Sequence, residues 1–423
     1  MLSQYTWKNG PEAIQQHSIA KHRILQTYLA KYFQTLVGNR PRDEFKLTLV
    51  DGFAGGGLYF HKDTRAIVRG SPFICLDAER EAAYEINKDR KKPVRLDITH
   101  IFVEAAKAAY NHLDDALRKE GYANRIGSSI QLRRGAFEDE VDSIIDFIAK
   151  KSPINGRSIF ILDQFGYNAI STKIMHKILS TLKGSEIILT FAVDSLFNYA
   201  NEKNLESSLN QIHVPNIFRD QPISEIKKSD RNWRLFVQSS LYNALVGECK
   251  AKHYTPFFIR NESGHGDYWL IHLSQHQRAR SVMTDVHWSH QNYFVHYGGA
   301  GLDMFNMVGY DPQFDNDFLG QNILDFGFDR EAAQASVAKM MEQIPRLITE
   351  KHIGMTFGQF YESTCNQSPA SLAIYQESMG KLIGYGEFDV VDEANVRRTK
   401  ANQIKMTDRI VKPSQDNIFF LLK

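Results

Sequence analysis

The chain has 423 residues, of which 43% are hydrophobic and 24% charged, and its formal net charge is +2. That length supports two to three domains with a sizeable core, and the near-neutral charge leaves room only for local basic faces. Three cysteines, Cys75, Cys249 and Cys365, lie far apart without ligand-type spacing, which excludes a disulfide scaffold and predicts no metal centre on this chain.

The first twenty-one residues mix Lys, Glu, Gln and His without an apolar core, so no signal peptide is expected. No apolar run has the length to span a bilayer, and a reducing cytoplasm without membrane contact is the expected setting. Residues 11–37 carry Ile19, Ile24, Leu25, Tyr28, Leu29, Tyr32 and Phe33 at helical spacing, with Pro11 and Glu12 suited to a first turn. His17, Lys21 and His22 form either a solvated stripe or a set of cationic donors for a substrate phosphate.

Leu47-Thr48-Leu49-Val50 reads as a buried strand that stops at Asp51 and runs into a glycine-rich turn, Gly52-Phe53-Ala54-Gly55-Gly56-Gly57. Glycines let backbone turn sharply and approach a ligand. No G-K-[ST] follows, so this is not the triphosphate-binding loop. Residues 58–97 are mixed and are expected to loop out, except for a helix opened by Ser71-Pro72 and running to Tyr84. The second strand, from Ile98 to Val103, is followed by Glu104, the position of an acid that accepts from ribose hydroxyls in nucleotide-binding sheets.

A helix from Ala105 to Lys119 precedes a third strand, Ile130 to Arg134, which ends at Gly135-Ala136-Phe137. Phe137 is placed either to stack on an adenine or to fill core. Strands at 158–163 and 186–193 follow, ending at Asp163 and Asp194, with helices at 137–149 and 171–182. Five apolar strands alternating with amphipathic helices predict an α/β fold with a parallel, helix-covered sheet. Acids at successive strand ends point to a nucleotide-type ligand at that edge.

Beyond residue 201 we expect a helix at 234–245, a hairpin of 254–260 and 268–273, and a helix at 277–289. The run Gly298-Gly299-Ala300-Gly301 reads as a link. Helices at 332–350, 356–365 and 368–382, then short strands around Arg397, Arg398, Lys400 and Lys405, outline a winged helix. For the basic residues a solvated turn competes with contact to a nucleic-acid backbone. The expected organisation is an N-terminal helical segment (1–44), an α/β domain with insertions (45–296), a linker (297–330) and a winged-helix-like domain (331–423).

Taken together, H-S-x-A-K-H (His17 to His22), D-G-F-A-G (Asp51 to Gly55), G-S-P (Gly70 to Pro72), F-V-E (Phe102 to Glu104) and D-x-F-G (Asp163 to Gly166) resemble the three-Cys-motif partner protein family. That family is similar to ribosomal-RNA adenine methyltransferases. The resemblance implies a Rossmann-like class I methyltransferase sheet with helices on both faces, S-adenosylmethionine as cofactor, and a three-cysteine radical-SAM-like protein as partner. It implies that Asp51, Gly52, Ala54, Gly55, Glu104, Gly135, Ala136 and Phe137 hold the cofactor, and that Asp163 and Phe165 orient and stack a flipped base. His17, Lys21, His22, Arg397, Arg398 and Lys400 would contact nucleic acid.

The related methyltransferases use D-P-P-Y where this chain has Asp163-Gln164-Phe165-Gly166, so both prolines are missing. The leading expectation is a methyltransferase-fold protein that binds S-adenosylmethionine and acts on DNA or RNA. Its rival is a non-catalytic adaptor with a degenerate fold that recruits the partner to nucleic acid. A nicotinamide-dependent enzyme fits less well, because the turn lacks the G-x-G-x-x-G spacing.

Overall fold

In the computed structural model the described residues are 7, 10–38, 42–163, 170–191, 209–214, 233–259, 268–290, 301–302, 329–348 and 354–413. Two compact units separate: Met1–Trp233 with Ser240–Val286, and Arg234–Ser239 with His287–Lys423.

The first unit is built on β2 (Glu44–Asp51), whose Leu47, Leu49 and Val50 are fully buried. Each such side chain contributes about 2 kcal/mol of apolar burial. Parallel neighbours lie on both sides, β5 (Arg95–Val103) and β7 (Ser158–Asp163). The sheet continues through β6 (Ile130–Arg133) at one edge and β8 (Ser185–Phe191) towards the other. An antiparallel hairpin, β9 (His253–Ile259) and β10 (Tyr268–Ser274), completes it, with β10 lying between β8 and β9. The order is β6-β5-β2-β7-β8-β10-β9. This is the Rossmann-like methyltransferase sheet expected from the sequence, with its switch in strand order at β2, where ligands of such sheets bind.

Helices α1 (Gln16–Phe33), α2 (Ser71–Asn87), α3 (Lys107–Lys119), α4 (Phe137–Lys151) and α5 (Thr172–Thr181) alternate with these strands; α6 (Trp233–Cys249) precedes the hairpin and α7 (Gln277–Ser289) follows it. Helix α1 is welded to the sheet by a buried polar cluster. The Tyr28 hydroxyl donates to Glu186 on β8, which also receives Nε2 of His272 on β10 at 3.1 Å. Burial pushes the Tyr28 phenol well up, keeping it protonated as the donor.

Two expectations are corrected here. Glu12–Ile14 is not the first turn of the N-terminal helix but a strand, β1, pairing in parallel with β3 (Leu58–His61). Nor do residues 58–97 loop out as one insertion. β3 and β4 (Ile67–Arg69) form a hairpin, and α2 is the ordinary crossover helix leading to β5. Strands of three or four residues with half-exposed faces carry no periodic signal; their pairing is visible only once the partner is in place. Asp194, expected to end the fifth strand, lies outside the described residues.

In the second unit α8 (Arg330–Leu347), α9 (Phe357–Thr364) and α10 (Leu372–Tyr385) enclose a core that includes Met340, Phe360, Tyr361, Tyr375 and Met379. The caps follow local chemistry. Asp329 accepts from the Ala332 N–H, Thr356 and Gln359 form a reciprocal capping box, and Gly386 ends α10 in the left-handed region at φ 74°. β11 (Asp389–Val391) and β12 (Arg409–Val411) are antiparallel, and Thr356 bridges to Arg409. Three helices followed by a small hairpin make the expected winged helix.

Candidate cofactor and acceptor site

The carboxyl ends of β2, β5 and β7 place Asp51, Glu104 and Asp163 along one edge, around the switch in strand order. The glycine turn leaves β2 directly. The Gly52 N–H donates to Ile161 O at 2.9 Å and the Ala54 N–H to Val103 O at 3.0 Å, so the turn is stitched to both neighbouring strands. A Cβ at Gly52 would lie 2.9 Å from Leu162 and from Phe137, closer than carbon atoms approach. Gly55 has φ +60°, a left-handed conformation that favours glycine.

Glu104 ties the second strand to this turn. Its Oε2 accepts the Gly55 N–H at 2.9 Å and its Oε1 the Ala106 N–H at 2.7 Å. Burial raises its carboxyl, and these N–H groups partly offset the rise. The Ala105 N–H is a third donor to this carboxylate, which leaves about one lone-pair position for a further donor such as a ribose hydroxyl. Asp51 is 1% exposed, and burial lifts its carboxyl to about 7 against the opposing Ser71 side chain and the Phe53 N–H, which it accepts at 3.1 Å.

Asp163 is bound by Lys21 from α1. The ammonium stands 2.6 Å and 2.7 Å from the two carboxylate oxygens and 5.5 Å from the centre of the Tyr268 ring. Burial opposes ionisation of Asp163, but Lys21 and the Thr190 hydroxyl outweigh it and hold the carboxyl below its usual range. Burial and the adjacent Lys21 charge push His22 down to about 4, so its imidazole is neutral at physiological pH.

These positions alter the expected cationic stripe. Lys21 is 9% exposed and committed inward to Asp163, so it presents no surface donor to phosphate, and His22 is half-buried with its Nδ1 enclosed. Of His17 only the backbone, on α1, is described, and Phe165 with Gln164 lies outside the described residues. The Gly135 N–H donates to Glu104 O at 3.2 Å, which brings the third strand end and Ala136 beside the second. Phe137 is 2% exposed, with its ring between Phe53 and Phe160, so it forms floor beneath Gly52 and not a free stacking face.

In the winged unit Arg398 is drawn into an ion pair, its Nε 2.8 Å from buried Asp408, and Arg397 Nε stands 2.6 Å from Asp389. Lys400 is exposed, as are Lys405 and Arg409. The sequence did not single out Trp7, Tyr59, His112 or Thr190, which the fold brings to the site from distant segments. No pattern of spacing marks them.

Residues 309–395 match the GMT-like wHTH domain family, beginning inside the segment expected to be a linker. No curated protein matches the chain. Among solved structures, WbdD is similar at 12% identity over 61% of this chain and 40% of its own, with a TM-score of 0.32. A human methyltransferase 10 domain containing protein gives 9% identity over 60% and 83%, with a TM-score of 0.28. The plantazolicin methyltransferase BamL, solved with SAH, gives 11% identity over 62% and 85%, with a TM-score of 0.24. The chain thus spans about 40% of the length of WbdD, and the methyltransferase fold rests on the strand order of the sheet, not on these distant likenesses.

Proposed function

We propose that this chain binds S-adenosylmethionine at the β2–β5–β7 edge and acts on nucleic acid as a methyltransferase, together with a three-cysteine radical-SAM-like partner. One observation carries the cofactor reading: a glycine turn that admits no Cβ at Gly52 is fastened through Gly55 to a strand-end acid, Glu104, which keeps room to accept from one further donor. Backbone of Gly52, Ala54 and Gly55 would face the methionine end, Asp51 would fix the turn, and Glu104 would take the ribose. Gly135 and Ala136 would border the adenine above the Phe137 floor. When bound, the cofactor supplies an electrophilic methyl group. This chain's task is then positioning: Asp163, with Phe165 beside it in sequence, orients the acceptor for in-line attack.

Nucleic acid as the substrate class is supported by the wHTH match and the exposed Lys400, Lys405 and Arg409. Calorimetry with S-adenosylmethionine on wild type and Gly55→Asp tests the site. Binding by wild type that is lost in the variant is expected, and no heat from wild type at millimolar ligand overturns the reading. Transfer of tritiated methyl to mixed DNA and RNA, with and without the partner, tests the reaction.

A second reading is a non-catalytic adaptor. It is favoured by Gln164 in place of proline and by Lys21, which occupies both oxygens of Asp163. Label entering nucleic acid with wild type but not with Asp163→Ala excludes it.

A further inference from the structure

The glycine turn is also packed by aromatic residues that come from three separate segments. Trp7 is 5% exposed, and its ring lies so flat on the turn that a Cβ on Gly56 would come within 2.3 Å of it. Tyr59, on β3, meets Trp7 edge-on at 5.0 Å between centroids, and its hydroxyl would stand 2.9 Å from a Cβ on Gly55. His112, on α3, lies 5.0 Å from the Trp7 ring and donates from Nδ1 to Gly56 O at 2.6 Å. Trp7 itself has φ 55°, a backbone region costly for a bulky residue, and its N–H is held by Glu12 Oε1 at 2.9 Å. Glu12 begins β1, whose pairing with β3 delivers this segment to the turn.

We propose that Trp7 is a positioning residue for the cofactor: its indole clamps the Gly55–Gly56 turn against Glu104 so that the turn is preorganised before ligand arrives. This rests on the cofactor reading above. Gly55 donates to Glu104 while Trp7 packs on Gly56 and Tyr59 on Gly55, so the turn cannot rearrange without displacing a buried indole. Preorganisation of this kind lowers the ordering cost of binding. It explains why the N-terminal strand and the β3–β4 hairpin, which add nothing to the main sheet, are fastened to each other: together they carry Trp7 and Tyr59 to one turn.

The test is a double-mutant cycle on the full chain, with S-adenosylhomocysteine affinity measured by calorimetry for wild type, Trp7→Ala, Gly56→Ala and the double variant. Trp7→Ala is expected to weaken binding roughly tenfold, and Gly56→Ala by a similar factor because its methyl expels the indole. In the double variant the second substitution is expected to add nothing, since the indole it would displace is gone. Trp7→Phe is expected to recover most of the affinity. Melting temperatures of all variants show whether each remains folded; if Trp7→Ala does not fold, Trp7→Phe against Gly56→Ala carries the comparison. Additive losses, or a Trp7→Ala protein that binds as well as wild type, overturn the clamp and leave the cofactor reading standing. A folded wild type that binds no S-adenosylhomocysteine overturns the cofactor reading and the clamp's role with it.

Discussion

Asp51→Asn separates what the site needs from what the fold prefers. The carboxyl is 1% exposed, and burial, reinforced by the charges of Asp163 and Glu104, lifts it from 3.8 to about 7. Between those values the native chain keeps a proton that the unfolded chain has released. The native state therefore binds more protons, and the stability of wild type falls as pH rises through this window. The full span is worth on the order of 4 kcal/mol. Asparagine keeps an oxygen for the Phe53 N–H, which now bonds Asp51 Oδ1 at 3.1 Å, and has no charge to bury. The variant is thus expected to gain on wild type as pH rises from about 4 to about 8, by up to on the order of 10 °C in melting temperature. Scanning calorimetry of both proteins across that range measures the difference. A melting-temperature gap that stays constant with pH would refute the raised carboxyl and the burial argument behind it.

Lys21→Met strands Asp163, whose pairing stabilises the fold above the usual carboxylate value and is lost as pH falls through the lowered one. A loss of about 3 kcal/mol at neutral pH is expected in urea titrations, largely recovered by adding Asp163→Asn; no recovery would show that the pair is not the cause. Gly52→Ala, which drives a methyl against Leu162 and Phe137, is expected to cost about 2 kcal/mol in the same titrations, and a neutral result would contradict the close approach. In the winged unit, Arg398→Ala is expected to lower the melting temperature by releasing buried Asp408. Lys400→Ala is expected to leave melting unchanged and to reduce the salt dependence of nucleic-acid binding by about one counterion in fluorescence titrations; the reverse pattern would exchange their roles.

Local chemistry along the chain was enough to predict the sheet strands, the acids at their ends and the glycine turn. A fully buried parallel strand needs an unbroken apolar run, and a turn that approaches its neighbours closely needs residues without Cβ. Asp51, Glu104 and Asp163 were legible because each interrupts such a run at its carboxyl end. The helix caps Asp329, Thr356 and Gln359 likewise act over three residues, within reach of sequence.

Only the tertiary structure decided how the acids are used. Lys21 and Asp163 are 142 positions apart, so an inward ion pair and an exposed cationic stripe look the same in sequence. The same holds for Arg398, whose partner Asp408 depends on where the hairpin folds back. Trp7, Tyr59 and His112 meet over Gly55 and Gly56 because β1 pairs with a hairpin too short to show a period. Periodicity records which face of an element is buried; which distant side chain covers that face is settled by packing, and packing leaves no repeat in the chain.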